Sequence, residues 1–107
     1  MLQSAGVTVA IGTDSLASNE SLSILAELRH LRQHVLDSPP ADVLLRMATL
    51  DAARALRLDA RIGSLEAGKA ADLAAFPCPA DAADPLATLI DAAPDAVGVW
   101  VAGQRVM

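Results

Sequence analysis

Residues Val7-Thr8-Val9-Ala10-Ile11 form a nearly unbroken apolar run with β-branched side chains, and the chain leaves it through Gly12-Thr13-Asp14-Ser15. A run of this kind predicts a strand covered on both faces, as in a parallel sheet flanked by helices. A carboxylate at the C-terminal end of such a strand stands where parallel α/β enzymes place their chemistry. The segment therefore constrains both the fold class, α/β, and the place where a reactive group belongs. One strand with one acid is a single wall of a site.

The chain has 107 residues, enough for one small domain and too few for a complete eightfold βα barrel of about 250. Phe76 and Trp100 are the only aromatic residues, and there is no Tyr. The core must then be filled by many small aliphatic side chains. The formal charge is −5 with no run of Lys or Arg, which excludes nucleic acid as the expected partner, because cations must replace the phosphate counterions. The lone Cys78 rules out an intrachain disulfide, a CxxC pair and an all-cysteine zinc site, and it fits a reducing, cytoplasmic setting. No apolar run reaches about 18 residues, so neither a membrane span nor a membrane partner is expected. Met1 to Gly6 lacks the charged and apolar regions of a signal peptide. It reads instead as a helix tail, a Gly stop and then the strand.

Further along, Asn19 or Ser21 is the expected N-cap of a helix whose apolar face is Ile24, Leu28, Leu31 and Val35, widened by Leu22, Leu25 and Leu36. Pro39-Pro40 ends it and opens a second helix carrying Val43, Leu44, Met47 and Leu50, with Pro40 in the first turn. An Ala-rich helix over 51–58 follows, with Arg54 and Arg57 near its end, where cations suit the helix dipole. At Arg61 the character changes. Ile62 to Lys69 reads as a glycine-bounded turn and strand start, and Ala71 to Phe76 as a strand stopped by Pro77 and Pro79. Residues 80–94 form a loop with a short helix near Leu86–Ala92. Val97 to Ala102, a turn at Gly103-Gln104 and Arg105 to Met107 make a hairpin.

Three blocks resemble the amidohydrolase superfamily, and within it the aminohydrolases that deaminate or dechlorinate N-heterocycles. Gly12-Thr13-Asp14-Ser15-Leu16-Ala17-Ser18-Asn19 is similar to the last barrel strand and its loop. Ala48 to Leu56, followed by Ile62-Gly63-Ser64-Leu65-Glu66-Ala67-Gly68-Lys69-Ala70-Ala71-Asp72-Leu73, resembles the C-terminal signature, and Val99 to Val106 the final hairpin. The blocks span essentially the whole chain in the family's order. The resemblance implies the last βα unit and trailing helices of a TIM-like barrel over residues 1–60. It also implies part of a small C-terminal β-sandwich over 61–107, whose strands here would have open edges.

It further implies a metal-dependent hydrolase of non-peptide C–N bonds. The metal is Zn2+ or Fe2+, and the substrate is a small amino heterocycle or adenosine-type nucleoside, such as a thiomethyladenosine, homocysteinyladenosine or aminodeoxyfutalosine. The intact enzyme would be a homo-oligomer. Asp14 would be both metal ligand and catalytic proton shuttle, since a bound divalent ion lowers the pKa of its water toward about 7 and a carboxylate can relay the proton to a leaving amine. Ser15 and Asn19 would be substrate-binding residues of the loop. The family's HxH, its other strand-end histidines and its assisting Glu have no counterpart here and would lie upstream of Met1. The isolated 107 residues are therefore expected to be an inactive C-terminal portion.

Other residues have plainer readings. His30 and His34 stand four apart with Glu27 before them, a possible metal clip, but the pattern is not HExxH, and a solvated helix flank extending to Asp37 is expected. Cys78, between two prolines with no base nearby, reads as an inert thiol. Lys69 and Asp72 read as turn and strand-edge residues, and Gly63 and Gly68 form no phosphate loop because Ala70 follows Lys69. The alternative from another class is a free-standing, non-catalytic interaction module, dimeric through unburied apolar surface, or the remnant of a decayed gene.

Overall fold

The computed structural model describes residues 6–12 and 23–107. In chain order it contains α1 (Ile24–His34), α2 (Ala41–Ala48), α3 (Leu50–Ala55), β1 (Leu73–Ala75), α4 (Pro85–Ala92), β2 (Gly98–Val101) and β3 (Gln104–Arg105). Mixed α/β structure is thus present: three helices precede β1, and α4 lies between β1 and β2 close to the short helix predicted at Leu86–Ala92.

Helix boundaries follow local chemistry. Ser23 caps α1, its Oγ accepting from the Ala26 N–H at 3.3 Å. This corrects the expected cap at Asn19 or Ser21, both outside the described residues. A hydroxyl immediately before Ile24 satisfies the first-turn amides directly. The helix ends at His34, five residues before Pro39, and Asp37 turns the chain with φ 58°. Pro40 is the N-cap residue of α2 rather than part of its first turn, and its carbonyl accepts from the Leu44 N–H at 3.0 Å. Thr49, with φ −122° and ψ −90°, interrupts the helical pattern between α2 and α3. α3 stops at Ala55, where Arg57 adopts φ 59°, so it is shorter than the predicted span to Leu58. In α4, Asp84 caps and Pro85 supplies a first-turn φ without needing a donor.

Helices α1, α2 and α4 enclose the core. Leu28, Leu44 and Ile90 are fully buried, joined by Leu25, Ala41, Met47 and Ala87, with Val9, Ile11, Leu31 and Phe76 packed around them. Each fully buried Leu or Ile contributes roughly 1.5–3 kcal/mol relative to exposure. Val35 and Leu36, assigned by periodicity to the apolar face, are exposed, Leu36 by 90%. They lie beyond the end of α1, where helical spacing no longer aims side chains at the core.

The strands form an antiparallel sheet of order β1-β2-β3, pairing Leu73 with Trp100, Ala75 with Gly98, and Val101 with Gln104. The hairpin turn is Ala102-Gly103, one residue earlier than predicted. Both have positive φ, 52° and 79°, as a two-residue type I′ connection requires. Residues Val7–Ile11 are not a strand in the structure, which corrects the opening prediction. Among the described residues no neighbouring strand offers a ladder, and the Ile11 N–H is instead donated to the Met47 carbonyl at 3.3 Å. A buried-type apolar pattern states which faces are covered; it does not supply the partner strand.

Truncating Leu44 to Ala should cost about 2–5 kcal/mol, as for other buried leucines, whereas Leu36→Ala should change stability by no more than about 0.5 kcal/mol. Urea unfolding of the two variants measures both, and equal losses would contradict this core.

Candidate functional site

The described residues nearest the predicted catalytic carboxylate are Val7 to Gly12. Val9 and Ile11, partly buried, pack against the helical core, and the Ile11 amide is tied to α2. This segment is therefore fixed from beneath by α2 and its neighbours up to the point where Thr13 begins. Asp14, Ser15 and Asn19 lie outside the described residues, so their predicted roles as metal ligand, proton shuttle and substrate contacts stay expectations from the sequence.

A groove of about 490 Å³ runs beside the segment, lined by Gly6, Val7, Thr8 and Val9 with Val43, Arg46, Asp51 and Arg54. Arg54 Nη1 meets Asp51 Oδ1 at 3.2 Å. Its charged groups are two guanidiniums and one carboxylate, with the Thr8 hydroxyl and no imidazole or thiol beside them.

Among the described residues, no group of three or more His, Cys, Asp or Glu side chains could hold a metal ion. The described part of the chain thus does not fit a catalytic metal on its own, since such sites generally use three protein ligands. His30 and His34 are both exposed on α1, their ring centroids 4.5 Å apart and planes at 42°, in line with a solvated flank. Cys78 is exposed, its Sγ 3.6 Å from the Pro79 carbonyl oxygen.

The signature block has a structural explanation. Gly63 adopts φ +100°, and a Cβ there would lie 2.8 Å from Ala53 Cβ and 3.1 Å from Leu50 Cα. Only a glycine lets the turn lie flush on α3. Beyond it, Ser64 Oγ donates to Glu66 Oε2 at 2.5 Å, Lys69 Nζ donates to Ser64 Oγ at 2.8 Å, and Lys69 meets Glu66 at 2.9 Å. The Ala70 N–H donates to the Arg61 carbonyl at 2.8 Å, closing the loop. The hydrogen bond from Ser64, then the hydrogen bond and charge of Lys69, hold the Glu66 carboxyl below its ordinary 4.5. Asp72 Oδ1 accepts from the Ala102 N–H at 2.8 Å, and the Gly103 N–H donates to the Ala71 carbonyl at 2.9 Å. The block before β1 thereby grips the β2–β3 turn. Lys69 and Asp72 act as the turn and strand-edge residues expected of them. The sequence pattern of this block predicts a glycine-bounded turn and does not reveal the Ser64–Glu66–Lys69 clasp.

Gly63→Ala should destabilise the chain by more than about 1 kcal/mol, because it combines positive-φ strain with a backbone clash; a thermal melt unchanged from wild type would refute the close approach. For Glu66 the sign follows from its lowered pKa. Its contribution is present above the unfolded value and is lost as pH falls through the folded value. The stability gap between wild type and Glu66→Gln should therefore narrow as pH drops from neutral to below 4.5, measured by denaturant midpoints across that range; a gap that widens on acidification would reverse the assignment.

Similarity to characterised proteins agrees with these blocks. The profile of the amidohydrolase family matches residues 1–106. A 5-methylthioadenosine/S-adenosylhomocysteine deaminase of Moorella thermoacetica is 52% identical over 75 residues, covering 64% of this chain and 18% of the enzyme. An s-triazine hydrolase of Gordonia rubripertincta is 38% identical over 76 residues, covering 64% of this chain and 16% of that protein. In structure, the chain resembles an adenosine deaminase from Xanthomonas campestris with bound zinc, at TM-score 0.82 and 38% identity, over 97% of this chain and 26% of the other. Helicobacter pylori aminofutalosine deaminase matches at TM-score 0.83 and 30% identity, over 99% of this chain and 27% of the other. The chain thus spans less than a fifth of the length of these sequence relatives, and it belongs to the amidohydrolase family.

Proposed function

We propose that this chain is the C-terminal part of a metal-dependent hydrolase that deaminates an adenosine-type nucleoside or a related amino-substituted N-heterocycle. The observation that carries the reading is the 52% identity to a methylthioadenosine/S-adenosylhomocysteine deaminase. In this reading residues 1–60 end a TIM-like barrel, and 61–107 contribute strands to a composite β-sandwich. The exposed apolar side chains of Leu65, Leu73, Val97, Val101 and Val106 support such a sandwich, because further strands packed over them would take apolar area out of water. Helix α4 crosses that division and packs against α1 and α2, so the two parts share one core.

Deamination replaces the ring's amino group by oxygen: water adds to the ring carbon, and ammonia leaves. Asp14, at the end of the Val7–Gly12 segment, is the proposed carrier of the proton from the attacking water to the departing nitrogen. A bound Zn2+ or Fe2+ would supply the acidity of that water. The described residues provide no ligand set for it. Ser15 and Asn19 are proposed to meet the substrate from the same loop.

The test uses the polypeptide encoded at the native locus, including any open frame upstream of the Met1 codon. If that frame encodes HxH and further strand-end histidines, the purified protein should release ammonia from 5′-methylthioadenosine, S-adenosylhomocysteine or aminodeoxyfutalosine. Asp14→Asn should then lower kcat by about 10²–10⁴. Full activity in Asp14→Asn, or release of ammonia from none of these substrates, would remove the proposed role and substrate class respectively.

A further inference from the structure

We infer that His30 and His34 form a two-imidazole chelate for a borderline divalent transition-metal ion on the solvent side of α1, with Cu2+ preferred over Ni2+ and Zn2+. Side chains four residues apart on a helix stand one above the other, and here the rings are immediate neighbours, centroids 4.5 Å apart. Two imidazole nitrogens bound side by side to one ion at about 2.0–2.1 Å lie about 3 Å from each other. Rotation about the two side-chain torsions of each histidine reaches that geometry without moving the backbone. Both residues are exposed, so an aquo ion approaches them freely and keeps water at its remaining positions.

Two further features favour the site. The helix that carries it is fixed in place: Leu25 and Leu28 are buried beneath it, and Arg32 Nε binds Asp91 Oδ1 at 2.9 Å. The two ligands are therefore presented together, with no backbone ordering left to oppose binding. His34 is also the last residue of α1, at the helix end whose unpaired carbonyls favour positive charge. Imidazole suits Cu2+, Ni2+ and Zn2+, and at a nitrogen site the Irving–Williams order puts Cu2+ first.

The experiment is a titration of the 107-residue chain with Cu2+ by calorimetry, paired with electron paramagnetic resonance of the bound ion. The expected result is one ion per chain with hyperfine coupling to two imidazole nitrogens. His30→Ala and His34→Gln should each weaken binding more than about tenfold, because either one dissolves the chelate. Both replace surface residues, and circular dichroism shows whether α1 is retained. Asp14→Ala should bind Cu2+ as wild type does. Undiminished binding in both histidine variants, or a bound ion coupled to fewer than two imidazoles, would overturn the inference, as would a loss confined to Asp14→Ala.

Discussion

The buried layer of Leu28, Leu44 and Ile90 is the contact on which the remaining architecture depends. Its three side chains come from α1, α2 and α4, so it joins the first third of the sequence to the last. Ile90 is brought there by a helix that lies between β1 and β2 in the chain. Since α4 is fixed in the core, the two strands that flank it must leave from its ends and pair beside it. The sheet is thus placed by a helical contact, and its own side chains remain largely exposed. With only Phe76 and Trp100 as aromatics, Phe76 packed at the edge of the core and Trp100 lying against Gly98, aliphatic packing does most of this.

What could be read from the sequence divides along physical lines. Local signals gave correct elements: Gly103 for the hairpin and Pro77 for the end of β1. Each is a backbone preference that acts within a few residues. The errors came where periodicity had to stand in for tertiary context. Val35 and Leu36 continue the spacing of Leu28 and Leu31, but α1 has already ended at His34, and spacing loses its meaning outside a helix. Val7–Ile11 has the composition of a covered strand, and Val9 and Ile11 are indeed drawn into the core. A strand, however, is defined by its neighbour, and no property of these five residues can provide one.

The signature that identifies the family illustrates a further separation. Gly63, Ser64, Glu66, Lys69 and Asp72 are bound up with one another and with α3 and the β2–β3 turn. They shape a junction between helices and sheet; their polar groups are spent on each other. The strength of the resemblance over this block therefore reflects a shared way of folding the chain's end. The evidence for chemistry rests on a different stretch, Gly12-Thr13-Asp14, where a single carboxylate follows the segment anchored by Ile11.

This division explains how one chain end can be similar both to nucleoside deaminases and to an s-triazine hydrolase. A junction that is satisfied internally places no demand on the ring being hydrolysed. It demands only that the preceding segment be held at a fixed depth against α2, which the partly buried Val9 and Ile11 and the hydrogen bond from the Ile11 N–H to the Met47 carbonyl accomplish. In the proposed reading, a proton carrier at Asp14, following such an anchor in the chain, would serve any substrate whose leaving group is an amine on the ring. Choice among rings must then be made by side chains that contact the ring itself rather than by the internally paired clasp or the buried core.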